Sequence, residues 1–166
     1  MNKIISLAIF DLDETLLCGD SSRLWTNYLW DKKTIQDPAF LALDKQMISN
    51  YYAGKLNIEH YLFEHLSYFN HFSVNTINQW VNDYVQTIIK PLLYPQGIKV
   101  IAQYQRENIP VIIISATLSF LVHPITKLLN ADTSMGIDMQ IKGGYYNGKV
   151  EGTPTFREGK VARLNQ

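Results

Sequence analysis

Two short apolar runs constrain this chain more than any other feature. Residues 4–10 and 109–114 are rich in Ile, Val, Leu and Phe, and each is followed by polar residues. Such runs suit strands buried on both faces of a parallel sheet. Pro110 is acceptable only near the start of the second strand. Ligands of open α/β sheets bind at the C-terminal ends of the strands, so the residues just after each run are the first to search.

The stretch between the runs reads as helix. Ser21 or Ser22 is expected to cap a helix with Leu24, Trp25, Tyr28 and Leu29 on one face. Further helices are expected from Pro38, from near Asn57 and from Ser73, with Pro91 ending the last. No strand signal interrupts them, so residues 18–90 read as a helical subdomain inserted into an α/β core made of residues 1–17 and 91–166. Residues 97–108 and 118–130 read as helices on either side of the second strand, and another helix is expected to start at Arg157 or Gly159. Asn147-Gly148, between Tyr145-Tyr146 and Lys149-Val150, suits a type I′ hairpin turn, and Gly143-Gly144 is also turn chemistry.

Composition removes several function classes. The 166 residues carry 15 basic and 15 acidic side chains, with no net charge to attract nucleic acid or an anionic membrane surface. The single cysteine, Cys18, cannot form an internal disulfide, which suits a reducing compartment. Its expected role is packing. No apolar run is long enough to span a bilayer. A soluble, cytoplasmic protein is expected.

The chemistry starts at Asp11-Leu12-Asp13-Glu14-Thr15, directly after the first run. With the strand ended, a loop can turn both carboxylates toward one pocket. One carboxylate can then attack phosphorus while the other moves protons. Two acids repel a phosphate dianion, so a divalent cation and a basic side chain are needed. Thr15 is expected to hold the loop through its hydroxyl and is also a candidate for binding phosphate. The alternative is a solvated turn that caps the next helix. Ser115, at the end of the second run, offers a hydroxyl, and with the backbone of Ala116 it could bind a phosphoryl oxygen. Alone it could equally be a helix cap. Lys160 could neutralise phosphate charge at a helix start, with Lys142, Lys149 and Arg157 as competitors. The four histidines show no metal-ligand spacing.

These residues, in this order, resemble the haloacid dehalogenase superfamily, and more closely its phosphoserine phosphatase-like and histidinol-phosphatase-like branch. The resemblance runs from Ala8-Ile9-Phe10-Asp11-Leu12-Asp13-Glu14-Thr15 through Gly19-Asp20-Ser21 and Ile114-Ser115-Ala116-Thr117 to Tyr146-Asn147-Gly148 and Phe156-Arg157-Glu158-Gly159-Lys160. It implies Asp11 as nucleophile, Asp13 as general acid/base, Ser115 as phosphate ligand and Lys160 as charge-neutralising lysine. It also implies a helical cap over a small phosphomonoester. Magnesium is the implied cofactor, held by the Asp11 carboxylate and the Asp13 carbonyl. Asp20 and Arg23, at the start of the cap, are candidates for the leaving group, or else a helix cap beside a solvated arginine.

One departure follows from the same resemblance. The family carries a fourth acidic motif beyond the lysine, and this chain ends at Gln166 before it; Asp132 and Asp138 both precede Lys160. The expectation is therefore a truncated chain with weakened magnesium binding and an exposed apolar edge on the first strand. An impaired protein that binds phosphate ligands or a protein partner is the rival reading. A receiver-type phosphoacceptor fits poorly, because such domains lack a helical insertion after the first strand.

Overall fold

The computed structural model describes residues 6–68 and 70–166. β1 (Ala8–Phe10), β2 (Val111–Leu118), β3 (Thr133–Lys142) and β4 (Tyr145–Glu151) form one sheet in that order. β1, β2 and β3 run parallel, and β4 returns antiparallel to β3. The expected α/β class with a parallel sheet is what the chain adopts.

The two apolar runs have different fates. Residues 4 and 5 of the first lie outside the described residues, and the strand begins at Ala8. Among the described residues β1 is bonded to β2 alone, and Ile9 is 45% exposed. Among the described residues β1 is therefore an edge strand, not one buried on both faces. β2 lies between β1 and β3, and its Val111, Ile113, Ile114 and Leu118 are buried. It also continues past Ile114, where it was expected to end. Its pairing with β3 slips between Ile114 and Leu118, so Ser115, Ala116 and Thr117 sit where the ladder is interrupted. Such irregularities re-aim side chains.

Four helices follow β1 in the chain: α1 (Ser21–Asp31), α2 (Pro38–Tyr52), α3 (Ile58–Ser67) and α4 (Val74–Tyr84). Asp20, Asp37, Asn57 and Ser73 cap them through side-chain acceptors. Asp20, rather than Ser21 or Ser22, caps α1, because the two serine hydroxyls are turned toward Thr117. Beyond α4 the helix widens into a π turn over Val85–Ile89 and tightens over Lys90–Leu92. The chain leaves and re-enters the sheet side by side: the Cys18 amide donates to Leu92 O at 2.9 Å and the Tyr94 amide to Leu16 O at 2.9 Å.

One apolar core joins the helical block to the sheet. At its centre the fully buried Trp25 stacks on Tyr28 at 5.5 Å and meets the edge of Tyr84 at 5.2 Å. Truncating Trp25 to alanine would cost ~3–5 kcal/mol. α5 (Pro95–Arg106), α6 (Ser119–Leu128) and α7 (Glu158–Leu164) complete the fold. No helix among the described residues is long and apolar enough to cross a membrane.

The hairpin differs from expectation. Its turn is Gly143-Gly144, with φ of 61° and 85°. Asn147-Gly148 lies inside β4, where pairing with β3 slips between Met139 and Ile141 and Gly148 has φ 79°. A positive φ serves a bulge as well as a turn, so the dipeptide alone does not distinguish them. Gly148 is also covered by Phe63 of α3, and a Cβ there would lie 2.8 Å from the ring. β3 was not anticipated at all, although Met135, Ile137, Met139 and Ile141 alternate as a strand requires.

Candidate active site

The register of the sheet assembles the site. Phe10 pairs with Ile113, so the loop leaving β1 runs beside Ser115 and Thr117 of β2. Leu12 is fully buried and anchors that loop, with its carbonyl accepting the amides of Thr15, Leu16 and Leu17. Asp11 and Asp13 flank this anchor in the loop. Glu14 takes φ 56° and donates its amide to Gly19 O, which closes the loop. The Thr15 hydroxyl was expected to do this work. It is exposed and makes no hydrogen bond among the described residues, because the backbone closes the loop by itself.

Asp13 is fixed by three donors. Its Oδ1 accepts the Ser21 amide at 2.7 Å, and its Oδ2 accepts Ser115 Oγ at 2.9 Å and Thr117 Oγ1 at 3.1 Å. Ser21 is the first residue of α1, so the positive end of that helix faces the carboxylate. Ser115 Oγ in turn accepts the Thr117 amide at 3.1 Å, and Ser115 O accepts Thr155 Oγ1 at 2.5 Å. Tyr84 OH donates to Ser21 O at 2.7 Å, and burial with Asp13 and Asp20 nearby holds its phenol well above the usual range.

Asp11 is treated differently. Its side chain is 46% exposed, and its Oδ1 takes a hydrogen bond from Lys160 Nζ at 2.9 Å. Oδ2 has no hydrogen-bond partner among the described residues. Of the four basic candidates, Lys160 is the one brought to the acid loop. Lys142 and Lys149 lie on the hairpin, and Arg157 packs on aromatic rings.

Other candidates fall elsewhere. Ala116 is half-buried between Ser115 and Thr117. Asp20 Oδ1 accepts the Arg23 amide at 2.9 Å, and burial pushes its carboxyl up despite that bond. Arg23 is exposed. Asp132 accepts the Val111 amide at the far end of β2, and Asp138 pairs with Arg163, so neither reaches the site. Cys18 is exposed rather than packed, because the loop places it outside, against Tyr94. The residues that sequence reasoning passed over are Thr117, Thr155 and the Ser21 amide. Thr117 carried a signal, since it stands two residues from Ser115 and so shares its face of the strand.

No cluster of three His, Cys, Asp or Glu side chains able to hold a metal occurs among the described residues. The Asp11 carboxylate and the Asp13 carbonyl are both hard oxygen donors, and no described amide is bonded to that carbonyl. Two such donors fit an ion that keeps most of its waters and completes its shell with substrate oxygens, as magnesium does.

With this geometry in place, comparison with known proteins identifies the family. The pattern described as haloacid dehalogenase-like hydrolase matches residues 8–166. The chain belongs to that family. Histidinol-phosphatase of Neisseria meningitidis serogroup C (strain 8013) is 30% identical over 162 residues, which are 97% of this chain and 73% of the relative. A Bordetella pertussis Tohama I protein of unknown function superposes with a TM-score of 0.88 at 31% identity, over 97% of this chain and 73% of that one. A phospho-aspartyl intermediate analogue of phosphoserine phosphatase superposes with a TM-score of 0.61 at 19% identity, covering 98% of this chain and 73% of that one, which speaks for the fold alone. This haloacid dehalogenase-like protein is thus a hydrolase with phosphatase relatives.

Proposed function

We propose that this hydrolase is a magnesium-dependent phosphomonoesterase acting on a small phosphorylated metabolite through an aspartyl-phosphate. The observation that carries the reading is the unequal treatment of the two carboxylates. Asp13 is locked by three donors, whereas Asp11 is steadied on one oxygen by Lys160 and open on the other. A nucleophile needs an accessible lone pair, and a proton carrier needs a fixed position.

In this reading the free Asp11 oxygen attacks phosphorus and the ester P–O bond breaks. Asp13, in its protonated form, gives its proton to the leaving oxygen. Asp13 then takes a proton from water as the water attacks the phosphoryl group. The Asp11–phosphorus bond breaks and inorganic phosphate leaves. Lys160 balances the charge on Asp11 and on the phosphoryl oxygens. When Asp13 is protonated, the Ser115 hydroxyl turns its hydrogen from Asp13 to a phosphoryl oxygen, the Ala116 amide binds another, and Thr117 supports Ser115. Asp11 and the Asp13 carbonyl would hold magnesium, which supplies positive charge against the dianion. Residues 18–90 serve as the cap, with Asp20 and Arg23 at its entrance.

Hydrolysis of an aryl phosphate, with and without magnesium, tests this reading. Turnover is expected to depend on the ion and to fall at least ~10³-fold in Asp11→Asn. Undiminished hydrolysis by that variant would remove Asp11 as nucleophile. Saturable phosphate binding with no turnover would support the ligand-binding alternative.

A further inference from the structure

Arg157 departs from ordinary backbone geometry. Its φ of 51° with ψ of −122° is a combination that L residues seldom adopt and that persists only where surroundings enforce it. The exposed Arg157 side chain makes two ring contacts beside this strained backbone. The guanidinium carbon lies 5.1 Å from the Phe156 ring centroid and 5.4 Å from that of Tyr51. Tyr51 stands in the last turn of α2, and its ring meets Phe156 edge-on at 6.5 Å. One cation thus joins the helical block to the loop that precedes α7.

That loop has little freedom of its own. Thr155 is bonded to Ser115 O, and Arg163 holds Thr153 O at 3.1 Å. A Cβ on Gly159 would lie 2.0 Å from Pro154 O, so the turn is tight as well as pinned. The Lys160 amide donates to Arg157 O at 3.1 Å. The Arg157 backbone therefore sets where Lys160 begins, and Lys160 ends on Asp11. On the other side of the block, α3 is seated on the hairpin through Phe63 over Gly148, and the Val74 amide is bonded to Gly144 O at 2.9 Å. α2 packs on α1 and α3, and its exposed Tyr51 meets Phe156 of the loop before α7.

We propose that Arg157 is a positioning residue. Stacked against Tyr51, it holds the backbone geometry that places Lys160 on Asp11, so docking of the α2 end is transmitted to the charge beside the nucleophile. The inference rests on the roles assigned above to Asp11 and Lys160.

The test compares Tyr51→Ala, Arg157→Ala, their double variant and Tyr51→Phe, using aryl phosphate kinetics and amide hydrogen exchange of the ligand-free protein. Each alanine variant is expected to lower kcat by about five- to tenfold with KM changed less, and the double variant to lose no more than either single one. Tyr51→Phe, which keeps the ring, restores kcat. The Lys160 amide exchanges faster in Tyr51→Ala while amides of β2 keep their protection. Additive losses, or Lys160 exchange unaltered in Tyr51→Ala, would overturn the proposal. If the unmodified protein shows no turnover, the phosphatase reading fails, and the exchange at Lys160 alone decides this one.

Discussion

Asp13 and Asp44 are both carboxylates held by hydroxyl groups, yet they sit in regions built for different ends. Asp13 lies in the loop after β1, at the positive end of α1, with Ser115 and Thr117 donating to it. Asp44 is buried in the helical block at 6% exposure, where it accepts Tyr61 OH at 2.8 Å and lies near the Thr26 hydroxyl, which donates to Ser22 O at 3.1 Å. Thr26 also meets His65 Nε2 at 3.1 Å, and His65 stacks on Phe40 at 5.0 Å. The first cluster draws its members from the loop after β1, from β2 and from α1, two residues from the half-exposed Asp11. The second ties α1, α2 and α3 to one another, and Asp20 and Arg23 at the start of α1 reach Asp44 electrostatically. Hydrogen-bonded carboxylates alone do not mark a site; what singles out the candidate site is an adjacent acid with a free oxygen and a cation.

If that distinction is sound, isosteric loss of charge at Asp13 strikes turnover and spares the fold. Asp13→Asn is expected to lower kcat by ~10²–10⁴, the range for a lost general acid/base. Its thermal midpoint stays close to that of the unmodified protein, because the amide oxygen still accepts the Ser21 amide. A variant that unfolds, or that keeps full turnover, would erase the contrast with Asp44.

The next largest effect belongs to the buried network. Burial lowers the His65 pKa from 6.5 to about 4. Between those values the unfolded chain binds the proton and the folded chain does not. Stability is therefore full above pH 6.5 and falls as pH drops toward 4, where the loss is complete at roughly 3 kcal/mol. Burial raises the Asp44 carboxyl, which acts in the opposite sense, favouring the folded state at low pH and losing that contribution as pH rises. Urea unfolding between pH 7 and pH 4 checks this, with His65→Gln as the comparison. The slope over this window should flatten in the variant. An unchanged slope would place the acid sensitivity elsewhere.

The two regions were unequally legible in the sequence. Asp11, Asp13 and Ser115 could be read because each follows an apolar run, and strand ends are where sheets bind ligands. Lys160 could not be separated from Lys142, Lys149 and Arg157 by position alone; the turn at Pro154 and Gly159 that aims it becomes visible only in three dimensions. The helices of the block were readable from period and capping residues, except that Asp20 took the cap expected of Ser21 or Ser22. The Asp44, Tyr61 and His65 network was invisible, since the cross-helix packing that buries it is not encoded in any one helix's period. Asn147-Gly148 misled for a definite reason, because the backbone freedom that builds a tight turn also builds the bulge under Phe63.

The smallest expected effect is also the sharpest discriminator, because it reverses the usual direction. Asp44 carries its charge in a place that disfavours it, as the upward push on its carboxyl shows. Asp44→Asn keeps the shape and an acceptor for Tyr61 OH while removing the charge. At pH 7 it is expected to leave stability unchanged or raise it by up to ~1 kcal/mol, with turnover intact. Asp44→Leu removes the acceptor as well and strands the Tyr61 hydroxyl, whose residue is only 7% exposed, so a loss of ~2 kcal/mol is expected instead. Denaturant midpoints and aryl phosphate turnover of the two variants settle the matter together. A large drop in turnover for Asp44→Asn would mean that the helical block carries chemistry of its own, and that the two carboxylates differ less than their surroundings suggest.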